Sequence, residues 1–163
     1  MSGLPKRIVF RDLKPDNIGL LYDDTVKLFD FGLAKELKYE DRIGQNQYYA
    51  TPKTGTKRYM APEVYSHEGI YGLPADVFSF SLILWEMLSL QVPFEGFSLH
   101  DHAVQVYAKK NRPKLRNRKW PDEVKKGIKE GWHHNASRRP EMSVIYSILT
   151  SYLKARGWQV VGV

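Results

Sequence analysis

The apolar positions of this chain change their spacing twice along its length. Over residues 1–32, short apolar runs alternate with turn residues. Ile18 to Tyr22 and Thr25 to Phe29 flank Asp23-Asp24, a layout that predicts one short β-hairpin. Residues 33–60 are polar and rich in Gly, Tyr, Thr and Lys without a sustained period, the profile of a long exposed loop. From residue 61 the pattern is helical. Gly72, Leu73 and Pro74 open a segment whose apolar residues, Val77 to Leu88, cover every face, so this helix belongs in the centre of the fold. A further helix is predicted from Leu99 to about Lys109. Another begins at Pro121, with Val124, Ile128 and Trp132 recurring on one side. A last one opens at Pro140, with Met142, Ile145, Leu149 and Tyr152 on its inner stripe.

Composition narrows the class. At 163 residues, 42% apolar and 26% charged, the chain suits one compact domain with a single core. No cysteine is present, so disulfides and thiolate metal sites are excluded. The most apolar stretch, Val77 to Leu90, is interrupted by Ser79, Ser81, Glu86 and Ser89 and is too short to cross a bilayer. The expectation is a soluble cytoplasmic protein without membrane insertion. The net charge of +7 is concentrated between Lys109 and Lys129, but no aromatic platform alternates with it. A solvated face is the preferred reading, with no nucleic-acid partner.

Chemistry is concentrated in four places. Phe10-Arg11-Asp12-Leu13-Lys14-Pro15-Asp16-Asn17 packs two acids, two bases and a carboxamide into eight residues. Asp30-Phe31-Gly32 follows one strand later. Gly55-Thr56-Lys57-Arg58-Tyr59-Met60-Ala61-Pro62-Glu63 closes the polar stretch. Asp76 lies inside the apolar helix, where a carboxylate must find donors.

In this order the four segments resemble the catalytic loop, the D-F-G element, the A-P-E element and the central-helix aspartate of eukaryotic protein kinases. The resemblance covers nearly the whole chain and implies the following roles. Asp12 is the catalytic base and Lys14 the cation at the transferred phosphoryl group. Asn17 and Asp30 bind magnesium and ATP, with Gly19 beneath the adenine. Thr56 lies at the substrate-docking loop beside Asp12 and Lys14. Arg11, Phe31, Gly32, Glu63, Asp76 and Arg139 are structural, with Glu63 and Arg139 forming a buried ion pair and Asp76 taking the backbone amides of the catalytic loop. Thr51 and Thr54 are the candidate phosphorylation sites of the activation loop, ordered through Arg11, and Tyr48 and Tyr49 are outsiders. Lys14 and Thr56 point to Ser/Thr specificity. Trp85-Glu86 and the stretch from Trp132 to Pro140 resemble the tyrosine-kinase-like group.

The implied cofactors are ATP and Mg2+. The implied partners are a protein substrate with a Ser or Thr acceptor and an upstream kinase. Two departures stand out locally: Phe10 replaces the family's histidine, a packing position, and Gly19 replaces a larger apolar residue under the nucleotide. A third is larger. The sequence contains no Gly-x-Gly and no V-A-I-K-like strand before the catalytic loop. The expected fold is therefore mainly α, within the α+β family. It is a C-terminal lobe alone, with a short β-hairpin, an activation segment and a helical bundle. Residues 1–155 form the partial kinase domain and 156–163 a tail. With the N-terminal lobe absent, the chain by itself is expected to transfer no phosphate, and the alternative is a non-catalytic interaction protein or scaffold. An exposed apolar face around Phe80 and Leu84 is expected as well.

Overall fold

The computed structural model describes residues 6–116 and 119–160; the ends of the expected domain and tail, and two residues of the basic stretch, lie outside this range. Strands come first and long helices second. Among the described residues there are seven strands, all very short: β1 (Ile8–Val9), β2 (Ile18–Leu20), β3 (Val26–Leu28), β4 (Lys35–Glu36), β5 (Arg42–Gly44), β6 (Gln47–Tyr49) and β7 (Ile70–Tyr71). They pair antiparallel in three sheets: β1 with β4, β2 with β3, and β5-β6-β7. The helices are α1 (Pro62–Tyr65), α2 (Pro74–Ser89), α3 (Leu99–Asp101), α4 (Asp122–Gly131) and α5 (Met142–Lys154).

The expectation of an isolated, mainly α lobe with one hairpin is therefore corrected. The fold is mixed α/β, with a β-rich part over residues 8–71 joined to a helical part. The expectation that the chain lacks a β-rich N-terminal part, and is incomplete for that reason, falls with it. The stretch 33–60 is not a plain loop either: it contributes β4, β5 and β6. Strands of two or three residues are too short to show alternation; β4 and β6 have partners distant in sequence, as in Val9↔Lys35 and Tyr48↔Tyr71, and β5 pairs with β6 across a register shift.

α2 is the axis of the helical part. Pro74 starts it, Asp76 stands in its first turn, and Leu90 ends it in the left-handed region at φ 55°. Phe78 and Leu82 are fully enclosed, and Ser79 and Ser81 are buried by bonding back to Ala75 and Val77 carbonyls. α4 packs on α2, and α5 packs on α4. The predicted exposure around Phe80 and Leu84 is not found: Leu84 is only 8% exposed and Phe80 packs against the same core. The segment after Leu99 runs one turn as α3 and continues as a π-helix, His102–Ala108. Ser98 and Asp101 cap it reciprocally. No helix among the described residues is long and apolar enough to cross a membrane.

Candidate active site

The catalytic-loop octet turns sharply after β1. Arg11 takes φ 72°, a conformation that costs an L-residue of order 1–3 kcal/mol. Asp76 holds it there: its two carboxylate oxygens accept the Phe10 amide at 2.7 Å and the Arg11 amide at 3.0 Å. Burial pushes the Asp76 carboxyl above its ordinary value, against the opposing pull of those two amides and the Arg11 charge. Phe10, at the position of the family's histidine, is buried and meets Phe31 edge-on at 5.2 Å.

Beyond the turn, a short 3-10 helix over Pro15–Asn17 folds the carboxamide back onto the acid. Asn17 Nδ2 donates to the Asp12 carbonyl at 2.9 Å and to Asp12 Oδ2 at 3.2 Å. Lys14 Nζ stands 3.3 Å from the same Oδ2 and donates to Thr56 Oγ1 at 3.1 Å. The Thr56 amide donates to Asp12 Oδ1 at 2.8 Å. Asp12 is thus a buried carboxylate with both oxygens engaged. Burial acts to raise its pKa, but the hydroxyl and amide of Thr56 and the Lys14 ammonium outweigh it, and the carboxyl is held below its ordinary value. Such a group is a weak base at neutral pH but a well-directed hydrogen-bond acceptor.

Asp30 arrives from the other side. β2 and β3 pair Ile18 with Leu28, and the Phe29 amide then donates to the Asn17 carbonyl at 2.8 Å. Asp30 follows directly, in the left-handed region at φ 56°, with Oδ1 accepting the Gly32 amide at 3.2 Å. Asp30 and Phe31 are exposed, and Gly32 shares the same 3-10 turn. Asn17 Oδ1 and Asp30 Oδ2 make no hydrogen bond among the described residues. Amide and carboxylate oxygens of this kind would suit Mg2+, which takes one or two protein oxygens and completes its shell from phosphates and water. The described residues hold no cluster of three or more His, Cys, Asp or Glu side chains that could form a closed metal cage.

The supporting ion pair is bidentate. Arg139 Nη1 and Nη2 reach Glu63 at 2.6 and 2.7 Å, and the remaining N–H groups bond the carbonyls of Pro74, His133 and His134. Every guanidinium donor has a partner. Arg139 and Arg112 also lie over the Phe78 ring at 5.0 and 4.8 Å.

On the activation segment, Arg11 Nη1 donates to the Tyr71 hydroxyl at 3.3 Å, and that hydroxyl donates to the Thr51 carbonyl at 2.6 Å. Thr51 is exposed, while the half-buried Thr54 turns its hydroxyl back to the Thr51 carbonyl at 3.0 Å. Tyr48 is buried in β6 and its neighbour Tyr49 is exposed. Tyr71 and Gly55 were not among the residues singled out for a role from the sequence. Tyr71 carries no motif, whereas a glycine just before Thr56 was a readable sign of close backbone approach. The Phe29 side chain, which leans against Gly19, had no local signal at all.

A cavity of about 970 Å3 is lined by Arg7, Asn46, Asp76, Arg139 and Met142 among others, and by none of Asp12, Asn17 and Asp30. The catalytic-loop cluster lies outside it.

The protein kinase domain matches residues 5–149. The serine/threonine-protein kinase STY46 of Arabidopsis thaliana is 35% identical over 92% of this chain and 24% of its own length. The serine/threonine-protein kinase VIK of the same plant is 37% identical over 83% of this chain and 31% of its own. The dual specificity protein kinase shkB of Dictyostelium discoideum is 36% identical over 85% and 20%. The chain belongs to the protein kinase family, a family of transferases that use ATP and Mg2+. It spans between a fifth and a third of the length of these three relatives.

Proposed function

We propose that the protein transfers the γ-phosphoryl group of ATP to a Ser or Thr hydroxyl of a protein substrate. The observation that carries this reading is the Asp12 cluster: one buried carboxylate held by Thr56, Asn17 and Lys14 at 2.8 to 3.3 Å. Phosphoryl transfer asks the protein mainly for position and charge, since its transition state is loose. Asp12, ionised and fixed, accepts the hydrogen bond of the substrate hydroxyl and aims its oxygen. Lys14, tethered to Thr56 and Asp12, sets a cation where the transferred group gathers negative charge. Asn17 and Asp30 would hold Mg2+ through their free oxygens, and the bound ion neutralises phosphate charge. Thr56 places the docking loop against Asp12, so the acceptor segment and the carboxylate are positioned by one hydrogen bond. Phe31 and Gly32 support Asp30, and the Glu63–Arg139 pair anchors the end of the docking segment.

The same reading makes Thr51 and Thr54 the sites that an upstream kinase would phosphorylate. The chain from Arg11 through Tyr71 to the Thr51 backbone supports it, because a phosphate there would fall near a guanidinium already linked to the catalytic loop. Transfer of labelled phosphate from Mg·ATP to a generic protein substrate tests the proposal. Asp12→Asn should lower the rate by about 10²- to 10⁴-fold. Equal rates for the two proteins would refute the assignment. Alanine at both Thr51 and Thr54 should reduce activity after treatment with an activating kinase.

A further inference from the structure

The cavity of about 970 Å3 is walled by four segments that lie far apart in the chain: β1, the turn between β5 and β6, the start of α2 and the approach to α5. Its charged side chains are of two kinds. Asp76 has both oxygens taken by the Phe10 and Arg11 amides, and Arg139 has every donor bonded. Arg7 and Glu141 are not so engaged. Arg7 reaches Asn46 and Tyr48 only at 3.5 Å, and only through Nη1. The exposed Glu141 carboxylate forms no hydrogen bond or ion pair among the described residues, with Arg7 or any other group. A cation and an anion with bonding capacity to spare thus line one cavity without pairing. The rest of the wall supplies two further features. Ile8 is 50% exposed and Met142 37%, large apolar side chains left in water on the same wall as the buried Val77. Gln45 and Gln47 each offer a carboxamide, donor and acceptor together, with no partner among the described residues.

We infer that this cavity is a second binding site, for a short apolar peptide with both ends free. Arg7 takes its carboxylate, Glu141 its ammonium group, and Gln45 and Gln47 the N–H and C=O of its peptide bond. Ile8, Val77 and Met142 cover its apolar side chains. The volume stands near the top of the usual range for small-molecule sites, about 300–1,000 Å3, and has room for more than one residue. A fatty acid would answer Arg7 but leave Glu141 and the carboxamides without a partner. A single small amino acid would leave the apolar wall uncovered. The site is independent of phosphoryl transfer, since Asp12, Asn17 and Asp30 take no part in the wall. Asp76 does, so the occupant sits against the residue that holds the catalytic-loop turn.

Titration calorimetry of the full chain with leucyl-leucine tests it. The wild-type protein should bind this dipeptide with a Kd of about 1 mM or tighter. Glycylglycine, which has the same ends without the apolar side chains, should bind at least tenfold more weakly, flagging the apolar wall. Arg7→Gln and Glu141→Gln should each weaken leucyl-leucine about tenfold, the usual worth of a hydrogen bond to a charged group. Blocked ligands assign the ends. N-acetyl-leucyl-leucine lacks the ammonium group and should respond to Arg7→Gln but not to Glu141→Gln, and leucyl-leucine amide should show the reverse. No binding of leucyl-leucine to the wild-type protein overturns the site. Equal affinity for the free and both blocked dipeptides overturns the roles of Arg7 and Glu141, and equal affinity for glycylglycine overturns that of the apolar wall. Arg7 and Glu141 are both exposed, and thermal unfolding checks that their variants are folded. The comparison of free, blocked and glycine dipeptides needs the wild-type protein alone, so it decides the matter even if a variant does not fold.

Discussion

The α-carbon of Gly55 rests against the carbonyl oxygen of Arg11, so closely that a β-carbon there would overlap it. Gly55 also takes φ 103°, a conformation that side chains resist. This contact brings the neighbouring Thr56 amide to 2.8 Å from Asp12 Oδ1. Gly55→Ala should therefore act twice. It should cost about 1–3 kcal/mol of stability from backbone strain. It should also lower phosphoryl transfer at least tenfold by lifting Thr56 from the carboxylate. Urea unfolding and kcat, measured on the same preparation, check the two effects separately.

The Glu63–Arg139 pair should be strongly asymmetric under mutation. Arg139 is buried with all its donors bonded, so Glu63→Ala leaves an unbalanced guanidinium inside the fold. Breaking such a pair costs about 3–5 kcal/mol. Replacing both residues with apolar ones of similar volume, as in Glu63→Leu with Arg139→Met, should cost less than the two single changes added together. The lone Pro74, His133 and His134 carbonyls limit that recovery. Unfolding free energies around the double-mutant cycle measure the coupling.

How much of this was legible beforehand follows from how local each feature is. Asp12, Lys14 and Asn17 lie within six residues, and a 3-10 turn is enough to bring them together, so their contiguity already exposes the cluster. α2 reads from its unbroken apolar pattern because sixteen residues give the period room to show. β4, β5 and β6 do not read, because each is only two or three residues long; β4 and β6 are fixed by partners far away, and β5 pairs with β6 through an irregular register. The ring of Phe29 filling the place of a missing side chain at 19 is likewise a decision of packing, not of sequence spacing. The burial of Leu84 was missed for the same reason: which helix covers which face is settled in three dimensions.

The Thr56 hydroxyl and amide lower the Asp12 carboxyl against the opposing effect of burial, and this gives a pH signature. The folded carboxyl is depressed below 3.8, so its ionised form persists above that value and is lost only as pH falls through the lower folded value. The acid limb due to Asp12 should therefore lie below the ordinary carboxylate range. Thr56→Val removes the hydroxyl donor but keeps the amide, leaving burial less opposed. The Asp12 carboxyl should then titrate at higher pH, visible as an upward shift in its carbon-13 resonance titration and in the acid limb of kcat/KM. An unshifted carboxyl would mean that Thr56 does not control it.

Asp76 has the opposite sign and a different job. Its carboxyl is raised by burial, so between 3.8 and its folded value the native state holds more protons than the unfolded one. In that window its contribution to stability declines as pH rises. The ionised form is nevertheless the one that accepts both the Phe10 and Arg11 amides, the bonds that keep Arg11 at positive φ. Asp76→Asn substitutes an NH2 for one acceptor oxygen, so one amide loses its partner and meets a donor instead. At neutral pH this should cost about 1–3 kcal/mol, the usual penalty for a buried donor left unpaired. It should also remove the part of the pH dependence that Asp76 contributes. Because Arg11 directly precedes Asp12, the loosened turn should lower kcat as well, although Asp76 is not assigned to touch the nucleotide or the substrate. Urea unfolding of the two proteins across pH 4 to 7 reads the first two effects, and a kcat unchanged in a protein that is less stable would separate the turn from the chemistry.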